Sequence, residues 1–263
     1  MRVGKPEVHS LVSQPSDRPH SSYAAVARLG LIVPPTNTVN EAEWQLLLRE
    51  LDGITLHVTR MALHLDTRSS EGRRALLRDL RHAVEDLDAA GPDAIAYGCT
   101  VGSLDETLHG LTDYMQSVSH CACVAAASSL VHAARALDMR RVVLATPYDE
   151  IITRHETEYL ALHGIDVLHA SGLGIGAGGA HEYINIARIP ERQVIDHCLA
   201  AWRGEADGLI VSCTDFATLR VVPLLEEQLG KPVVSSNLAT FWCTLRAAGV
   251  SLPLRGYGGL LQL

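Results

Sequence analysis

From Leu29 onward, short apolar runs alternate with stretches in which apolar residues recur at helical spacing: LGLIVPP, then NEAEWQLLLRELD, then ITLHVTRMAL, then RRALLRDLRHAVEDLDAAG. Alternation of strand and helix patterns predicts a parallel α/β sheet. Three further runs read as strands: AIAYGCT at 94–100, RVVLATPY at 141–148 and GLIVSCT at 208–214. In open sheets of this class ligands sit beyond the carboxyl ends of the strands. Chemistry is therefore expected where these runs close.

A comparison of the chain with itself sharpens this picture. The strand ending in Pro34 reappears 113 residues later as the strand ending in Pro147, and Cys99-Thr100 recurs as Cys213-Thr214 at an offset of 114. CVAAASSLVHAARALDMRRV recurs loosely as PVVSSNLATFWCTLRAAGVSL. Landmarks in one order at one period suggest duplication. The expected architecture is two pseudo-symmetric Rossmann-like parallel-sheet halves, 27–135 plus 243–263 and 136–242, with the C-terminal helix crossing back to the first. The polar, Pro- and Ser-containing segment 1–26 is expected to be a loose tail. A pseudo-twofold axis between the halves would bring Cys99 and Cys213 to one cleft from opposite sides.

Composition narrows the classes. An apolar content of 47% is ample for a buried core. A net charge of -8, without a clustered basic stretch, argues against a nucleic-acid surface. The chain has no apolar run long enough to span a membrane and no secretory leader pattern, so a cytoplasmic, membrane-free protein is expected. In that compartment the six cysteines are expected to be reduced, and each must serve packing or chemistry.

A cysteine at a strand-to-helix turn meets exposed backbone N–H groups and a helix dipole, which favour a thiolate and bind carboxylates. Cys99 has this setting, with Thr100, Gly102 and Ser103 as anion-holding neighbours, and Cys213 has the matching one with Thr214 and Asp215. Cys121, Cys123, Cys198 and Cys243 fall in apolar or helical stretches and read as core. No HExxH or other paired ligand spacing is present, so no metal is expected. Asn37 and Thr38 stand before a helix, where capping is the ordinary role, and Tyr148 occupies the matching depth in the other half. The glycine-dense segment 171–183 lacks the Lys-Ser/Thr of a phosphate loop and reads as a flap that closes over a small ligand.

Taken together, GLIVPPTNT, PDAIAYGCTVGS, LATPYDE, NIARIP and ADGLIVSCT resemble the Asp/Glu racemase superfamily, in its maleate cis-trans isomerase and arylmalonate decarboxylase-like branch, over residues 27–263. The resemblance implies a cofactor-independent enzyme acting on a small dicarboxylate and a homo-oligomeric assembly. It further implies that Asn37, Tyr148 and Asn185 hold carboxylates, with Cys99 as nucleophile and Cys213 as proton donor and acceptor; the two roles are exchangeable at this level. Thr38, Thr100, Ser103 and Thr214 join them as binding neighbours. Two departures stand out: Val101 replaces a serine common in the family, and the helix opens Asn40-Glu41-Ala42-Glu43 rather than in the Glu-Pro-Glu style. The alternatives are a racemase or epimerase of an amino or hydroxy diacid, an arylmalonate-type decarboxylase, and a non-catalytic small-ligand binding protein.

Overall fold

The computed structural model describes residues 21–64, 66–67 and 69–263, and most of the expected tail lies outside them. The first half runs β1 (Ala27–Val33), α1 (Asn40–Leu48), β2 (Ile54–Arg60), α2 (Ser70–Asp88), β3 (Ala94–Tyr97), α3 (Gly110–Val118), β4 (Ala122–Ala125) and α4 (Ala126–Ala136). The second runs β5 (Arg141–Tyr148), α5 (Glu150–Leu162), β6 (Asp166–Ile175), α6 (Glu191–Ala201), β7 (Gly208–Val211), α7 (Val221–Leu229), β8 (Val233–Ser235) and α8 (Ser236–Ala247). The sheets have orders β2-β1-β3-β4 and β6-β5-β7-β8, with every pairing parallel. The same order occurs twice, which is the duplication read from the sequence in structural form.

The inner strands show why their sequences are apolar runs rather than alternations. β3 (AIAY) and β7 (GLIV) are buried at every position, as strands covered by helices on both faces must be. α2 shows the complementary pattern, burying Leu76, Leu80, Ala83, Val84 and Leu87 along one stripe, and its N-cap Ser69 accepts a hydrogen bond from the Gly72 N–H.

The halves are not independent. α4 packs on α8, and α8 also rests on β3 and β4 of the first sheet. Trp44 of α1 meets Phe241 of α8 edge-on at 5.2 Å, and one apolar core runs through both sheets. The element that crosses back therefore begins at Ser236, earlier than the boundary at 243 expected from the sequence. The reason is that β8 ends the second sheet and its helix is spent on the junction. Among the described residues no helix is long and apolar enough to cross a membrane.

Candidate active site

β3 and β7 each end two residues before their cysteines, and both strands deliver them to the same cleft. A cavity of about 450 Å³, counted to its open mouth, is lined by Asn37, Cys99, Thr100, Tyr148, Cys213 and Thr214, with Asp215 and Tyr183 beside them. Leu63, Val101, Ile152 and Ile186 form its apolar wall. Cys99 and Cys213 are 6% and 4% exposed, and both line this cavity.

Backbone donors meet each sulfur, as expected for a strand-to-helix turn. The Gly102 N–H donates to Cys99 Sγ at 3.4 Å and the Asp215 N–H donates to Cys213 Sγ at 3.3 Å. Each thiol also has one tyrosine: the Tyr97 hydroxyl favours the Cys99 thiolate, and the Tyr148 hydroxyl favours that of Cys213. Gly102 permits the first of these, since a Cβ there would strike the Tyr97 hydroxyl. Burial works the other way and pushes both thiols up. Cys213 is pushed further by the Asp215 carboxylate beside it, whereas among the described residues no acidic neighbour burdens Cys99. Cys213 also holds φ at 122°, a strained conformation for a residue with a Cβ.

Hydrogen bonds tie the two cysteine turns together. Thr100 Oγ1 donates to Ser236 Oγ at 3.0 Å, and the Cys213 N–H donates to the same oxygen at 3.1 Å. Asn37 Nδ2 donates to Thr214 Oγ1 at 3.0 Å, and Thr214 Oγ1 donates to the Gly98 carbonyl at 2.8 Å. Asp215 Oδ1 accepts from the Thr38 and Val39 N–H groups at 2.8 and 3.3 Å, at the start of α1. Burial raises the Asp215 carboxyl to about 6 against the pull of these donors.

Of the residues anticipated from sequence, Asn37, Thr100, Tyr148 and Thr214 line the cavity with both cysteines. Three others lie outside its lining. Thr38 is exposed and contributes its backbone N–H to Asp215. Ser103 is buried, donating to the Cys99 and Thr100 carbonyls at 2.7 and 3.0 Å and accepting from the Ala127 N–H at 3.0 Å. Asn185 is exposed and accepts a hydrogen bond from Arg188. The short 3₁₀ segment Ala180–Arg188 turns Tyr183 and Ile186 inward instead. Tyr97, Tyr183 and Ser236 were not anticipated; the signal for Ser236 was its place at the head of the helix that repeats α4. Cys123, Cys198 and Cys243 are buried, while Cys121 is only half-buried because it precedes the edge strand β4.

The model of the arylmalonate decarboxylase family matches residues 29–261. The maleate isomerase of Nocardia farcinica is 29% identical over 248 residues, 90% of this chain and 96% of that protein. The arylmalonate decarboxylase of Bordetella bronchiseptica is 29% identical over 245 residues, 91% of this chain and 98% of that protein. Among solved structures, a cysteine-to-serine variant of the N. farcinica maleate cis-trans isomerase with a covalently bound succinylcysteine intermediate superposes with a TM-score of 0.79. It is 27% identical, covering 90% of this chain and 98% of that one. An arylmalonate decarboxylase structure gives a TM-score of 0.75 at 27% identity, covering 89% and 98%.

Proposed function

Since the chain belongs to the arylmalonate decarboxylase family, we propose that it is a cofactor-independent isomerase of a small cis-dicarboxylate, of the maleate-to-fumarate type. The observation that carries this reading is the pair of thiols lining one cavity, each with its own amide donor and its own tyrosine. Decarboxylation of an arylmalonate draws on one cysteine and leaves the second without a task. A binding protein has use for neither.

Cys99 is the nucleophile, because the Gly102 N–H and the Tyr97 hydroxyl support its thiolate and no carboxylate among the described residues opposes it. Cys213 is held as a protonated acid by burial and by Asp215. The Cys99 thiolate forms a C–S bond to one alkene carbon, and the displaced electron pair takes the Cys213 proton onto the neighbouring carbon. The former double bond is now single and rotates. The Cys213 thiolate then removes that proton, the electron pair re-forms the alkene in its trans geometry, and the C–S bond breaks to return the Cys99 thiolate. A succinylcysteine adduct in the N. farcinica relative is chemistry of this kind. Asn37, with a second amide hydrogen left after its bond to Thr214, and Tyr148 supply neutral donors for the carboxylates, while the Thr100 and Thr214 hydroxyls are spent on Ser236 and the Gly98 carbonyl and shape the wall; no Lys, Arg or His lines the cavity among the described residues.

The experiment is incubation of the purified protein with maleate in deuterated buffer, followed by proton NMR, beside Cys99→Ser and Cys213→Ser. Fumarate that forms with the parent protein and disappears in both variants is the expected result. Fumarate formation that survives either substitution overturns the two-thiol assignment, and maleate left untouched by the parent overturns the substrate class.

A further inference from the structure

The helices that follow the first strand of each half carry glutamates 113 residues apart, Glu43 on α1 and Glu156 on α5, the offset that also relates Pro34 to Pro147. Both are buried. Glu43 is fully partnered: it accepts from the Thr218 and Leu219 N–H groups at 2.6 and 2.8 Å and from Asn237 Nδ2 at 2.7 Å. These bonds join α1 to the second half, and the role is structural.

Glu156 has the same position and none of these donors. It is 0% exposed, and neither carboxyl oxygen has a well-formed hydrogen bond. The Ser212 hydroxyl is the polar group that reaches it, closely enough to favour ionisation but without good hydrogen-bond geometry. Ser212 immediately precedes Cys213, and its Oγ lies 3.4 Å from Ser236 Oγ, which accepts the Cys213 N–H. The charge of Glu156 is also felt by Tyr148, the tyrosine of Cys213, and by Tyr159 of its own helix. Tyr148 and Tyr159 are thus the ionisable groups that face it from β5 and α5, and the β7 turn presents Ser212 and then Cys213. No cation among the described residues offsets its charge.

We propose that Glu156 is a positioning residue of the active site that acts through Tyr148: loss of its proton makes the Tyr148 hydroxyl a weaker donor and so suppresses the Cys213 thiolate. A carboxyl so placed resists ionisation, and burial raises it to about 7. Above neutrality an unscreened negative charge then sits beside Tyr148 and the turn that carries Cys213. Below it, the group is uncharged. The inference rests on Cys213 acting through its ionisation, as in the isomerase reading, and its test reads that ionisation without turnover.

The test is alkylation of Cys213 by iodoacetamide in the full-length Cys99→Ser protein, followed by peptide mass spectrometry from about pH 5.5 to 9, with and without Glu156→Gln. The two profiles are expected to coincide near the acid end, where Glu156 is protonated. At about pH 8.5 the glutamine variant is expected to alkylate roughly 3- to 10-fold faster, since without the negative charge beside it the Tyr148 hydroxyl is the better donor to the thiolate. Glu156→Leu, which leaves no polar group to bury, should show the same alkaline gain and guards against misfolding of the amide variant. Profiles that superimpose over the whole range overturn the proposal, because a purely structural glutamate would leave them alike. Absence of maleate turnover speaks against the substrate and leaves this readout intact.

Discussion

Asn37 donates its side-chain amide to the Thr214 hydroxyl at 3.0 Å, although 177 residues separate the two. Its carbonyl oxygen meanwhile accepts from the Val39 and Asn40 N–H groups at 3.1 and 3.0 Å, capping α1. One residue thus starts a helix, closes the junction between the halves and faces the ligand cavity. The acceptor end of the side chain serves the start of α1, and its amide end is the one the isomerase reading assigns to a carboxylate.

Separating those ends gives the first prediction. Asn37→Ala loses both and should cost about 1–2 kcal/mol of stability. Asn37→Asp keeps the capping acceptor, places a negative charge in the cavity and removes the donor to Thr214. We expect it to retain more stability than the alanine variant in urea unfolding, yet to lose roughly 10²-fold in kcat/KM on a dicarboxylate. An aspartate variant as active as the parent would exclude Asn37 from carboxylate binding.

The repeat, the parallel sheets and the two cysteine turns were legible because each depends on local wording: apolar runs, helical spacing, and the offset between Cys99-Thr100 and Cys213-Thr214. What the sequence hid depends on which way a side chain turns. Asn185 lies within a segment whose neighbours Tyr183 and Ile186 face the cavity, and only the 3₁₀ geometry sends it outward. Glu156 shared the inward stripe of α5 with Thr153, Tyr159 and Leu160, so its burial was readable from helical periodicity. Its lack of partners was not, because the donors that satisfy Glu43 come from the other half of the chain.

Cys213 carries backbone strain at the head of the cavity. At φ of 122° a Cβ is costly and glycine is not. Cys213→Gly should therefore unfold at a higher denaturant concentration than Cys213→Ala, by a difference of about 1 kcal/mol, with both inactive. Equal stability of the two would show that the turn relaxes once the sulfur is gone.

Two buried carboxyls make stability depend on pH. Glu156 rises from 4.5 to about 7 and Asp215 from 3.8 to about 6 on folding. Between those limits the folded chain retains protons that the unfolded chain has released, so stability is greatest below the unfolded values and falls as pH rises through the folded ones. For Glu156 the loss is on the order of 3 kcal/mol at most. Urea midpoints at about pH 5 and pH 7.5 should differ more for the parent than for Glu156→Gln. A glutamine variant with an undiminished pH slope would locate the effect elsewhere.

The segment that follows β6 offers the last prediction. Gly176 has φ of 105°, and a Cβ there would lie 2.9 Å from the ring of Tyr183, which lines the cavity. Glu182 accepts from the Gly176 and Gly178 N–H groups at 2.8 and 3.2 Å and fixes the turn that aims this tyrosine. Gly176→Ala therefore strains the backbone and displaces Tyr183 in one step. If the segment closes over substrate, KM should rise several-fold with kcat changed by no more than about 2- to 3-fold, because the thiols stand on other elements. Glu182→Gln should move KM in the same direction and less, since the amide keeps an acceptor oxygen for the Gly176 and Gly178 N–H groups. A variant that melts earlier but binds and turns over substrate normally would reduce this segment to a structural edge of the second sheet.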